Sequence, residues 1–199
     1  MSMKADITRL LELQQLLALF SQVERRTHRV HAGSYISEND TEHSYNLAMT
    51  AWYLAEWFPD LDKNLLIQYA LAHDLVEVHA GDTYIYGTED ELASKEAREA
   101  DAIVTLKADW SDFKDMNETI EAYESKTDAE SKFIYALDKL MPIMLIYIHD
   151  GYTWKKEGVT VDMLYKAKID KVKLSPEIYP YFEQLHALLL SRPDLIKRK

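Results

Sequence analysis

The sequence contains no cysteine among its 199 residues. Disulfides, thiolate metal sites and a cysteine nucleophile are therefore excluded. Glycine and proline are also scarce, with five of each, which excludes collagen-like and low-complexity chains. The lack of cysteine suits a reducing compartment, and we expect a cytoplasmic protein.

Long hydrophobic runs are lacking as well, and positive charge is clustered only at Arg25-Arg26 with Arg29 and in the last few residues. No stretch reaches the roughly 18 uninterrupted apolar residues of a membrane span, so we expect no membrane partner. The formal net charge is −11, and such a surface repels a nucleic-acid polymer unless a basic patch compensates. A protein of this charge that binds an anionic small molecule needs a bound cation to neutralise it.

What the sequence does contain is helical periodicity, with apolar residues at spacings of three and four. The first such segment covers about residues 6–23, and a polar stretch at 27–40 is expected to be irregular. No strand alternation of useful length is found. The pattern predicts a single all-α domain of about seven or eight helices over residues 1–199, with the core motifs at about 10–150 and C-terminal helices at about 160–191.

The most informative segment surrounds a His-Asp pair. One helix face is predicted to carry Leu66, Ala70, His73 and Glu77. Asp74 follows His73 directly, and an imidazole beside a carboxylate suits a divalent metal. A glutamate one turn later can accept a proton from a water molecule. The alternative interpretation is a hydrogen-bonded histidine in the core, next to an aspartate that is there by chance.

Two further residues extend this group. His43 lies one turn before Leu47 at the start of a predicted core helix, so it is expected to point inward, although helix capping or a surface position is the alternative. Asp138 lies in the most apolar segment, and a buried unpaired carboxylate costs several kcal/mol. Lys139 is adjacent but is expected to point elsewhere on a helix, so the alternative partner for Asp138 is a basic residue from another helix.

Two histidines and two aspartates on three predicted helices thus form a candidate site for one divalent metal ion. Oxygen and imidazole donors suit Mn, Co, Fe, Zn, Ni or Mg, and ligand type alone does not choose among them.

The order of these residues resembles the H…HD…D signature of the HD-domain phosphohydrolases. Over about residues 10–150 the local sequence is similar to the YfbR-like 5′-deoxynucleotidase branch. The matching segments are Glu42-His43-Ser44, His73-Asp-Leu-Val-Glu77, Gly81-Asp82 and Leu137-Asp-Lys-Leu140.

The resemblance implies a compact helical HD domain, a homodimer, and metal-dependent hydrolysis of the 5′-phosphate of deoxynucleoside monophosphates. It implies four metal ligands, which are His43, His73, Asp74 and Asp138. It also implies that Glu77 is the catalytic acid or base, and that Asp82 lies near the phosphate and sugar of the nucleotide.

The stretch before the first histidine departs from the family pattern, which has an arginine and a tryptophan there. By spacing from His43, Arg26 matches the arginine and Arg29 stands where tryptophan is expected. Paired guanidinium donors can hold a phosphate, so Arg26 and Arg29 are candidate substrate-binding residues. The alternative is a solvated turn.

Two other functions fit the same residues. Related HD proteins hydrolyse triphosphates, guanosine tetraphosphate or phosphodiesters, and a substrate panel would distinguish them. A non-catalytic helical module that binds a metal or nucleotide is the second alternative, and Glu77 speaks against it because a purely structural site does not require that carboxylate.

Overall fold

The computed structural model describes residues 6–199, and of residues 91 and 92 only the backbone. The first five residues of the predicted domain lie outside the described part. In chain order the elements are α1 (Ile7–Phe20), β1 (Glu24–His31), β2 (Ser34–Asn39), α2 (Asp40–Leu54), α3 (Lys63–Ala72), α4 (Glu77–Ala80), α5 (Glu89–Asp109), α6 (Lys114–Ser125), α7 (Ala129–Ile148), α8 (Tyr152–Glu157), α9 (Val161–Val172) and α10 (Tyr179–Leu190).

The predicted all-α class is confirmed, since helices form most of the described chain. The described part contains ten helices instead of seven or eight. The helix that was predicted to carry Leu66, Ala70, His73 and Glu77 on one face is divided into α3 and α4 by a turn. The short α8 was not predicted. The single-domain assignment stays a prediction.

The expectation of an irregular stretch at 27–40 was wrong, because these residues belong to an antiparallel hairpin of β1 and β2. His31 pairs with Ser34, so Ala32 and Gly33 form a two-residue turn. Their φ angles of 48° and 80° are both positive, as a type I′ turn requires. Ala-Gly is not among the usual sequence signals for this turn, which explains why the hairpin was missed.

The larger hydrophobic core lies between α2, α3 and α7 and includes Leu47, Leu66 and Leu137, all fully buried. The start of α2 is fixed by a capping box, in which the Asn39 side chain accepts from Glu42 N and Glu42 accepts from Asn39 N. This cap places the first turn of α2 against the core.

Among the described residues, no helix combines the length and the apolar character that a membrane-spanning helix needs.

Candidate metal centre

The four side chains predicted as metal ligands lie together. One ligand atom from each of His43, His73, Asp74 and Asp138 lies within 4.8 Å of all the others. His43 comes from the first turn of α2, the 73–74 pair from the end of α3, and Asp138 from the middle of α7. His43 Nε2 is 3.0 Å from Asp138 Oδ1, and His73 Nε2 is 2.9 Å from Asp74 Oδ2.

The two histidines are oriented by their surroundings. His73 Nδ1 donates to the backbone carbonyl of Ala70 at 2.9 Å, which turns Nε2 towards the cluster and Asp74. A carbonyl acceptor of this kind commonly fixes the ring of a metal-binding histidine. Burial and the Arg25 charge lower the pKa of His43 to about 4, so its imidazole is neutral at neutral pH and available as a ligand.

Among the described residues, carboxyl groups outnumber the cations that contact them here. The acidic group consists of Glu38, Asp40, Asp74, Glu77, Asp82 and Asp138. The contacting cations are Arg25, whose Nη1 lies 2.9 Å from Asp40 and 2.8 Å from Asp74, and Lys139, which donates to Asp138. Such an excess of buried acid is stabilised by an added cation.

The shifted pKa values of these residues reflect the same excess of carboxyl groups over cations. Burial, together with the neighbouring Asp74 carboxylate, raises the pKa of Asp40 to about 6 and that of Glu77 well above its ordinary value. Burial lowers the pKa of His73, but Asp74 and Asp138 outweigh it and raise that pKa. The cluster therefore attracts positive charge, whether as protons or as a metal ion.

The donor set fits a divalent metal. Two atoms that bind one ion at about 2.1 Å lie about 3 Å apart when their bonds meet at a right angle. Two nitrogen-to-oxygen pairs of the cluster lie 3.0 and 2.9 Å apart, and a third, between His43 Nε2 and Asp74 Oδ2, lies 3.9 Å apart. Mixed imidazole and carboxylate donors suit several divalent ions.

The expectation that Lys139 points away from Asp138 was wrong. Its long side chain reaches back to Asp138 Oδ2. Asp138 Oδ1 remains 3.0 Å from His43 Nε2, so one oxygen still faces the cluster.

Glu77 lies at the first position of α4, not on a continuation of α3. A tight turn precedes it, in which Glu77 N donates to Asp74 O at 2.8 Å. This turn keeps the side chains of Asp74 and Glu77 next to each other. Asp40, Asp74 and Glu77 form a second group whose oxygens lie within 4.8 Å of one another. Glu77 Oε2 is buried and has no hydrogen-bond partner among the described residues.

A cavity of about 530 Å³ opens onto the cluster, a size usual for small-molecule sites. Its walls include His73, Asp74, Glu77 and Asp138, and also Asp82 and Arg26 from the predicted substrate-binding residues. Arg29 is not part of the described lining, because its guanidinium pairs with Glu42, with Nε 2.8 Å from Oε2.

Arg25 is a site residue that the sequence reasoning missed. Between Glu24 and His28 the pairing with β2 shifts register, so simple alternation does not tell which arginine of β1 faces inward. The structure turns Arg25 into the acidic cluster and leaves Arg26 exposed at the cavity wall.

Three comparisons with known proteins agree with this geometry. A family model described as HD domain matches residues 21–179. The 5′-deoxynucleotidase HDDC2 of Homo sapiens is 30% identical over 138 residues, which are 66% of this chain and 65% of the human protein. The matched region thus spans just under two thirds of the human protein. A crystal structure described as a predicted metal-dependent phosphohydrolase from Magnetospirillum magnetotacticum MS-1 superposes with a TM-score of 0.77 at 28% identity, covering 94% of this chain and 96% of that one.

Proposed function

The chain belongs to the HD domain family, and from that premise we propose that it is a metal-dependent phosphohydrolase that removes the 5′-phosphate from deoxynucleoside monophosphates. The observation that carries the proposal is the convergence of two histidines and two aspartates, of which His73, Asp74 and Asp138 line one cavity. The name of the human relative supports the mononucleotide substrate, and the description of the solved neighbour supports phosphohydrolysis.

We propose that His43, His73, Asp74 and Asp138 hold one divalent ion. When bound, such an ion polarises a phosphate oxygen and lowers the pKa of a water molecule. Arg25 keeps Asp74 in place through its Nη1 atom, and the Ala70 carbonyl orients His73.

The remaining roles belong to residues around the cluster. Glu77 orients the attacking water and accepts its proton, because its buried Oε2 is free of other partners among the described residues and lies beside Asp74. Asp82 lines the same cavity and accepts a hydrogen bond from the sugar. Arg26, at the cavity wall, contacts the substrate from the solvent side. A homodimer and a cytoplasmic location stay predictions.

The test is a phosphate-release screen on protein that has been stripped of metal and then refilled with single divalent ions. We expect deoxynucleoside monophosphates to be hydrolysed, and triphosphates and phosphodiesters to be hydrolysed much less. Asp74→Asn should lose both metal and activity, because one ligand oxygen becomes a neutral amide.

Asp170→Asn is the matched control, since Asp170 is exposed on α9, and it should behave as the wild type. Circular dichroism should show the same helix content in all three proteins. Phosphate release that survives both chelation and Asp74→Asn would refute the proposed function.

A further inference from the structure

The basic residues nearest the candidate centre are already engaged. Arg25 contacts Asp40 and Asp74, and Lys139 contacts Asp138. Arg29, one of the two arginines expected to hold the phosphate, pairs with Glu42. These side chains neutralise the protein's own acids, so beyond the proposed metal ion and the exposed Arg26 a phosphate group needs a further cation.

Lys168 is a cation of that kind. It lies on α9, in the part of the chain beyond the family motifs, and is 91% buried, with 9% of its surface exposed. Its side chain lines the cavity that also contains His73, Asp74 and Asp138. Among the described residues its ammonium has no hydrogen bond and no ion pair, and its Nζ is not one of the polar atoms that are fully shut off from solvent.

The surroundings of Lys168 leave its charge uncompensated. Burial, with the neighbouring Lys139 and Lys171 ammonium groups, lowers the pKa of Lys168 to about 7. Asp138 is the one carboxylate among the main influences on it, and that acid is bonded to Lys139 and His43. A buried ammonium without a partner is unfavourable, so an anion that enters the cavity gains a strong charge-assisted contact there.

We propose that Lys168 is the phosphate-binding residue of this cavity, and that α9 thereby completes a site whose proposed metal-binding and catalytic residues lie before residue 150. The ligand is the phosphoryl group of a phosphate monoester, held between Lys168 and the histidine–aspartate cluster. Lys171 lines the same wall one turn further along α9 and adds positive charge. This inference rests on the proposed function for the identity of the substrate, but phosphate binding can be measured without turnover.

The experiment measures binding of inorganic phosphate to the metal-loaded protein by calorimetry, and KM and kcat for a deoxynucleoside monophosphate. Lys168→Met should weaken phosphate binding roughly 10- to 100-fold, the usual effect of losing a hydrogen bond to a charged group. KM should rise by a similar factor, with a smaller change in kcat. Lys168→Arg keeps the charge and should recover most of the affinity.

Lys166→Met is the matched control, because Lys166 lies on the same helix with an exposed side chain. It should leave phosphate affinity and KM unchanged. Thermal unfolding of each protein without phosphate distinguishes a loss of phosphate binding from a loss of folding stability. Lys168→Met should be no less stable than the wild type, since methionine removes an unpaired buried charge, whereas a purely structural lysine would lose stability.

The outcomes are distinguishable. Equal phosphate affinity in the wild type and in Lys168→Met overturns this inference, while hydrolysis by both proteins would leave the proposed function standing. Phosphate binding that depends on Lys168, in a protein that hydrolyses no mononucleotide with any metal, supports the site and refutes the proposed function.

Discussion

At the scale of single residues, Glu77 lies beside the four clustered side chains, and its buried Oε2 has no hydrogen-bond partner within the described chain. If Glu77 accepts the proton of the attacking water, Glu77→Gln keeps the shape of the side chain and removes the base. We expect kcat to fall about 10²- to 10⁴-fold, with KM and metal content nearly unchanged. Steady-state kinetics and elemental analysis of the purified protein measure these quantities.

Glu56→Gln is the control for this variant, since Glu56 is an exposed glutamate after α2. A loss of bound metal in Glu77→Gln would show that Glu77 is a ligand, and unchanged kcat would show that it is not the base.

Lys168 also makes stability depend on pH. Its pKa is about 7 in the folded protein and about 10.5 in an unfolded chain. The charged groups that influence it are Lys139 and Asp138 on α7, Lys171 on α9 and Arg25 on β1. Between these two pKa values the unfolded chain binds a proton that the folded chain does not, so the free energy of unfolding rises with pH.

Lys168→Met removes this dependence. Urea unfolding of the two proteins without phosphate should show the variant as the more stable one at pH 7. That advantage should shrink by up to about 1.4 kcal/mol for each pH unit towards pH 10. A constant difference across this range would mean that Lys168 stays protonated in the folded protein.

The site residues that could be predicted from the sequence share one property: each is recognised from the pattern of residues next to it in the chain. His43, His73 and Asp138 are polar residues within apolar helical patterns, and the structure buries all three. Lys168 gave no such signal, because lysines are frequent on α9 and only the contact of α9 with α7 makes this one buried. Such a contact joins segments that are remote in sequence, and local periodicity does not report it.

At the scale of elements, the β1–β2 hairpin brings one cation, Arg25, into the acidic cluster. Arg25→Met would leave Asp40, Asp74 and the nearby Glu38 without their guanidinium partner. Removing one member of a buried ion pair typically costs about 3–5 kcal/mol, and we expect a loss of that size in urea unfolding of the metal-free protein.

The exposed pair of Arg192 and Asp194, with Nη2 2.8 Å from Oδ2, supplies the control. Arg192→Met should cost at most about 1 kcal/mol, as is usual for surface ion pairs. If the two variants lose equal stability, the hairpin does not stabilise the fold through the cluster.

The turn between α7 and α8 is a second element whose packing can be tested. Gly151 has a φ of +66°, and a Cβ there would lie 2.2 Å from the Leu195 carbonyl oxygen. Gly158 has nearly the same φ, +67°, with nothing within 4 Å. Gly158→Ala should therefore cost only the backbone strain of about 1–2 kcal/mol, and Gly151→Ala clearly more in the same unfolding assay. Equal losses would show that the segment around Leu195 moves away without penalty.

At the scale of the whole molecule, one outer face of α2 carries large apolar side chains in contact with solvent. It consists of Tyr45, Met49, Trp52 and Tyr53, and Trp57 in the turn just after α2 extends it; each is at least 44% exposed. Exposed apolar patches of this kind commonly mark protein interfaces. The opposite face of the same helix carries the buried His43 and the core, so a partner on the outer face leaves the cavity open.

We therefore expect the predicted homodimer to form through this α2 face, with a second copy of the chain covering the aromatic side chains. Light scattering after gel filtration should give twice the mass of one chain for the wild type, and the mass of one chain for the double variant Trp52→Glu with Trp57→Glu. Ile148→Glu, at an exposed position on α7, should stay dimeric. A monomeric wild type would refute the predicted dimer. A double variant that is still dimeric would show that the interface lies on another face of the chain. Because the α2 face lies away from the cluster, the monomeric variant should still bind metal as the wild type does.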